Sequence, residues 1–144
     1  MGAISDLLPD ADWPPVAPFW AACALHELRF PRCRQCGRFQ WYPRELCAAC
    51  LGDDFEWAAI HPVGTVYSYT VVRRAFLPGA ERTVPYTVLQ VQFDGATGVT
   101  LLTNLADESE ASLIRVGSRV AVVFTETSSG DRTMTMPYVR VVAP

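Results

Sequence analysis

Residues 33–50 read CRQCGRFQWYPRELCAAC, two C-x-x-C pairs separated by ten residues. The surrounding segment, Phe30 to Trp57, is too short and too polar to hold a core of its own, so something other than burial must fold it. Two facing knuckles would present Cys33, Cys36, Cys47 and Cys50 as four thiolates at tetrahedral positions around one ion. Gly37, directly after the second cysteine, suits a knuckle turn that needs positive φ. Four thiolates leave no open position for water, which points to structural zinc, worth on the order of 10 kcal/mol or more to folding. Iron takes the same ligands, and spacing alone does not separate the two metals. The chain carries no flavin or nicotinamide fingerprint and no second cluster, which argues against an electron carrier. The cysteines are read as a fastening.

The rest of the composition limits what this fastening serves. The chain has 144 residues, half of them hydrophobic and 19% charged, with a net charge of -3. That balance gives no general attraction to nucleic acid or to an anionic membrane. The apolar run FWAACAL is far shorter than the roughly 20 residues that span a bilayer, and MGAISDLLPDADWPP has no signal-peptide pattern. A cytoplasmic protein with reduced cysteines is expected. All 12 basic residues are arginine, and Arg29, Arg32, Arg34, Arg38 and Arg44 crowd the cysteine segment.

On the N-terminal side, residues 1–17 read as an extended arm, broken by Pro14 and Pro15. From Pro18 to about Leu28 a short helix is expected, with Trp20, Ala24 and Leu28 on one stripe, either capping the core or presenting a docking surface. On the C-terminal side the pattern changes to strands. GTVYSYTVVRR, PYTVLQVQFD, VTLLTNL, RVAVVFTE and TMTMPYVRVV are rich in β-branched and aromatic residues. In the second, Leu89, Val91 and Phe93 alternate with Gln90 and Gln92. Turns are expected at Asp94-Gly95, Gly98 and 128–131. Between the third and fourth strands, ADESEASLIRVG reads as a short helix with acids in its first turn and Gly117 as its stop. Five strands with one helix after the third is the order of an OB-fold barrel. The fold expected is mainly β, in three parts: an N-terminal arm and helix (1–28), a rubredoxin-like zinc ribbon (29–60) and a five-stranded OB-fold (61–144).

These pieces together carry a resemblance. Phe19-Trp20 in a helix, the cysteine ribbon with Tyr42-Pro43, the strand from Gly64 to Val72, Pro85 to Val88, and Val116 to Phe124 occur in one order. The set, spanning about residues 18–142, resembles the zinc-ribbon/OB-fold, acyl-CoA-associated family catalogued as domain of unknown function 35. The arm before residue 18 and the loop AFLPGAERTV fall outside it. The resemblance implies an accessory subunit of a thiolase-superfamily enzyme. Such partners include aldolases of steroid side-chain degradation, acyltransferases and archaeal acetoacetyl-CoA-processing assemblies. In them the ribbon and barrel lie beside a CoA tunnel, and the partner carries the catalytic residues. A CoA thioester as shared ligand follows from the same resemblance.

A CoA surface needs guanidinium groups for phosphates and flat side chains for adenine. Arg38, Trp41 and Arg44 around the ribbon, with Arg73 and Arg74 at the end of the first barrel strand, are the candidates. Residues 29–50 carry five arginines and one glutamate, formally +4. Zinc with four thiolates contributes -2 and leaves about +2. The alternative reading is that the arginines neutralise the metal centre and the aromatics bury against the barrel.

No catalytic residue is assigned. His26, expected on the helix, and His61, before Pro62, show no nucleophile-and-base signature, and Cys23 between alanines reads as an inert buried thiol. Asp53-Asp54 and Glu108-Glu110 are explained by capping and solvation. The competing function is single-stranded nucleic-acid binding, with Tyr67, Tyr69 or Trp41 stacking bases. The near-equal count of arginines and acids in residues 62–144 argues against it.

Overall fold

The computed structural model describes residues 8–76, 78, 81 and 83–142. Residues 1–7 of the expected arm lie outside the described residues. The remainder of the arm is turned, not extended: Arg132 donates to the carbonyls of Leu8 and Pro9, and Trp13 stacks on Tyr42 with centroids 6.0 Å apart.

Helix α1 spans Ala17–Ala24, opened by Pro18 where its missing N–H is no loss. It buries Phe19, Ala22 and Cys23, so the stripe expected through Trp20, Ala24 and Leu28 is not its inner face. The reason is length. His26 adopts φ 59° just past the helix and Leu28 already begins strand β1, so His26 lies outside the helix. The imidazole of His26 stacks on Phe124 at 5.4 Å.

Strands β1 (Leu28–Cys33) and β2 (Phe55–Ile60) pair antiparallel and form the stem of the ribbon. The barrel follows in β3 (Val63–Val72), β4 (Tyr86–Phe93), β5 (Thr100–Asn104), β6 (Arg119–Ser129) and β7 (Arg132–Val141). These five strands are ordered β5-β4-β3-β6-β7, all antiparallel neighbours. A parallel bridge between Leu105 and Val139 brings the outer strands together and closes the OB barrel. Alternation on β4 is as expected, with Leu89, Val91 and Phe93 buried and Gln90 and Gln92 exposed. Ribbon, helix and barrel share one core, because Phe19, Cys23, Leu28 and Phe30 pack in the same cluster as Val66, Leu89 and Phe93.

The segment after β5 is a 3₁₀ helix over Glu108–Leu113, and it ends before Gly117, which serves a later turn. Its acids do more than cap and meet solvent. Glu108 accepts hydrogen bonds from the N–H (2.8 Å) and hydroxyl (3.0 Å) of buried Thr87, and Glu110 accepts from the N–H of Val141 (2.8 Å). These carboxylates satisfy strand amides that the ladder leaves over, and they pin the short helix in its tight form. Glu108→Ala is therefore expected to destabilise the protein by about 1–3 kcal/mol through the orphaned Thr87 N–H. A lowered urea midpoint at unchanged slope is the check.

Candidate functional site

The sequence builds the two knuckles by repeating one backbone pattern. In the first, the Gly37 N–H donates to the Cys33 carbonyl and the Cys33 N–H to the Arg38 carbonyl, both at 2.9 Å. In the second, Leu51 donates to Cys47 at 2.9 Å and Cys47 to Gly52 at 2.8 Å. Gly37 has φ 78°, as its turn requires, and Leu51 holds the matching position at φ 65°. A left-handed non-glycine residue costs roughly 1–2 kcal/mol, so the second knuckle is imposed by its surroundings against local preference. Gly52 is needed for another reason: a Cβ there would sit 3.3 Å from the Cys50 sulfur and 2.8 Å from Gln35 Oε1.

The knuckles bring all four predicted ligands together. The Cys33 and Cys50 sulfurs are 3.6 Å apart, as are those of Cys36 and Cys47, and all four lie within 4.8 Å of one another. A tetrahedral ion with metal–sulfur distances of ~2.3 Å sets its ligands about 3.8 Å apart. Amides from Cys50 and then Ala49 hold the Cys47 thiol down at about 6. The Gly52 amide acts the same way on Cys50, but burial and the three neighbouring thiols outweigh it and push Cys50 up to about 12. The neighbouring thiols lower Cys47 and raise Cys50, so one thiolate is favoured at the expense of another, and a divalent cation removes the conflict. The donor set fits structural zinc with no position left for substrate.

Beside the second knuckle lies a cleft of about 720 Å³, walled on its far side by the turn that follows β4. Arg38, Trp41 and Arg44 line it, together with Asp94, Gly95 and Gly98. Neither Arg38 nor Arg44 has an ion-pair partner among the described residues. The other ribbon arginines are engaged. Arg29 pairs with Glu27 (2.7 Å), Arg34 with Asp54 (3.4 Å), and Arg32 lies over the Phe39 ring. Trp41 packs against Phe19 (4.7 Å) and Phe30 (5.3 Å), so only part of its indole is left to the cleft.

Arg73 and Arg74 sit elsewhere. Arg74 lines a second cleft of about 430 Å³ with Phe76, Tyr86 and Tyr138. Val72 pairs with Tyr86 at one end of β4, and Gly64 with Phe93 at the other, so the two clefts lie at opposite ends of that strand. An eight-residue strand separates them by roughly 23 Å. The five candidate side chains form two groups, and no single phosphate meets both.

Comparison with known proteins places this architecture. The rubredoxin-like zinc ribbon domain of ChsH2 matches residues 20–56, and the C-terminal OB-fold domain of ChsH2 matches residues 57–125. The chain belongs to the ChsH2 zinc-ribbon/OB-fold family. A solved chain described as Ltp2-ChsH2(DUF35) aldolase is similar at 26% identity and a TM-score of 0.74, covering 92% of this chain and 98% of that one. A DUF35-family protein of unknown function from Sulfolobus solfataricus shares the fold at 20% identity and a TM-score of 0.56, over 77% of this chain and 78% of that one. No match was found among curated proteins.

In this ChsH2-family chain the sequence reading missed one pair next to the larger cleft. Arg119 grips both Asp94 oxygens at 2.8 and 2.6 Å and donates to Thr65 Oγ1 at 2.9 Å. The hydrogen bond from Arg119 holds the Asp94 carboxyl below its ordinary value. The pair's contribution is thus complete above the ordinary carboxylate range and lost on acidification. The only signal in the sequence was Asp94-Gly95, which reads as a turn.

The remaining candidates are placed as follows. Tyr67 and Tyr69 are exposed on β3. Among the barrel arginines, Arg115 donates to the carbonyls of Ser112 and Ile114, and Arg132 to those of Leu8 and Pro9. Cys23 is fully buried, and burial pushes its thiol up to about 12.

Proposed function

We propose that this chain is a non-catalytic accessory subunit that binds a thiolase-superfamily enzyme of acyl-CoA metabolism in the cytoplasm and helps hold its CoA thioester. The observation that carries the reading is the likeness, over nearly the whole chain, to the Ltp2-ChsH2(DUF35) aldolase. It supports an aldolase-class partner that does the chemistry. The four cysteines form a closed site without a substrate position, which suits a scaffold.

The CoA part of the proposal draws on the larger cleft. Two guanidiniums with no ion-pair partner among the described residues line it, and such groups bind phosphate through charge-assisted hydrogen bonds. Arg38 and Arg44 take the phosphates, with the free edge of Trp41 beside the adenine. Arg73 and Arg74 lie too far from this cleft to share a phosphate with it, and they are assigned to a more distant part of the same ligand.

Co-expression with an aldolase-class thiolase-like partner tests the assignment. A complex that survives gel filtration and turns over an acyl-CoA is expected, and two separate species would remove the accessory role. Within that complex Arg44→Ala is expected to raise the apparent KM for the acyl-CoA on the order of tenfold at unchanged zinc content. An unchanged KM removes Arg44 from the site.

A further inference from the structure

We infer that Arg119, which does not line the larger cleft, decides whether that cleft attracts an anion, by neutralising Asp94 and holding it away from Arg38 and Arg44. The inference rests on the reading that these two arginines hold a CoA phosphate.

The charge balance of the cleft is narrow. Its lining includes Arg38, Arg44 and Cys47 of the metal centre on the ribbon side, and Asp94 on the wall opposite. Zinc with four thiolates carries -2. The two guanidiniums therefore do little more than offset the metal centre, and one free carboxylate on the lining would make the cleft repel phosphate. Among the described residues, Asp94 is the one acid on that lining. Left free, it would also be an internal competitor for the guanidiniums that are to bind the ligand.

Arg119 removes both problems at once. Its bidentate grip occupies both carboxylate oxygens, and its third contact, to Thr65 Oγ1, fixes the fork on the side of the barrel. It stands at the first residue of β6, where Arg119 pairs with Thr65 of β3, so strand pairing sets where the guanidinium can reach. The pair is about half exposed, with side chains 44% and 54% accessible. An exposed ion pair adds little to folding stability. Its effect falls on the field of the cleft.

The test uses the full-length, zinc-loaded chain, with titration calorimetry against coenzyme A at low ionic strength, alone and in the partner complex. Arg119→Met is expected to weaken binding on the order of three- to tenfold, with zinc content unchanged. Asp94→Asn, which leaves the Arg119 charge unopposed, is expected to bind at least as tightly as wild type, and the double variant to recover wild-type affinity. A merely structural clamp gives a different pattern. Asp94→Asn breaks the same ion pair, so it would then weaken binding as much as Arg119→Met, and the double variant would not recover. That pattern overturns the inference, as does an Arg119→Met protein that binds like wild type. Absence of binding by wild type in both settings overturns the CoA reading and this inference with it.

Discussion

Replacing Cys36 by Ser is expected to abolish metal binding, unfold residues 28–60 and prevent assembly with the partner enzyme. Metal coordination contributes on the order of 10 kcal/mol or more to such a segment. That is comparable with the whole net stability of an ordinary domain, about 5–15 kcal/mol. The knuckles have little to set against the loss, since they expose Arg34, Gln35, Cys36 and Leu51, and the stem beneath them is one two-stranded ladder whose burial rests on Leu28 and Phe30. Serine keeps the size but presents a hydroxyl that stays protonated at neutral pH, leaving three thiolates to hold the ion. Metal per chain by atomic spectroscopy and amide exchange across residues 28–60 are the measurements. A metal-free variant with wild-type protection and full partner activity would show that the ion is dispensable.

Phe30→Ala should be the most damaging single change in the apolar core. Phe30 is fully buried, and its ring lies 6.0 Å from Phe19, 5.3 Å from Trp41 and 5.7 Å from Phe93. It touches the helix, the knuckle loop and the barrel together. Truncation of a buried Phe costs about 3–5 kcal/mol, from lost transfer energy and from the cavity left behind. For a chain of this length that lowers Tm by roughly 10 °C. Zinc content should remain at wild type in the cold, because no ligand is touched. A loss below ~1 kcal/mol in the urea midpoint would mean that ribbon and barrel do not depend on this joint.

The parts of the fold that the sequence made legible are those with strong local signals. Two C-x-x-C pairs specify the knuckles, and alternation on β4 specifies which face is buried, because both patterns act over a few residues. What was misread depends on partners far along the chain. Glu108 and Glu110 look like helix-start acids, yet their partners are Thr87 and Val141, and those bonds settle the helix as 3₁₀. The stripe through Trp20, Ala24 and Leu28 has helical spacing, but His26 turns left-handed before Leu28 is reached. Arg38, Arg44, Arg73 and Arg74 look alike in sequence. The fold divides them: Arg38 and Arg44 face the turn at one end of β4, and Arg74 lies by the cleft at the other. Asp94 and Arg119 are 25 residues apart and meet only when β3 brings β4 and β6 to its two edges.

The aromatic packing around the ribbon has an optical consequence. All four tryptophans, Trp13, Trp20, Trp41 and Trp57, precede the barrel, and three of them pack on the shared core. Indole emission is thus a reporter confined to the metal-binding half, whereas far-ultraviolet dichroism is dominated by the amides of the barrel strands. In a chelator time course the two signals would separate if the ribbon opens ahead of the barrel and coincide if the two halves yield together.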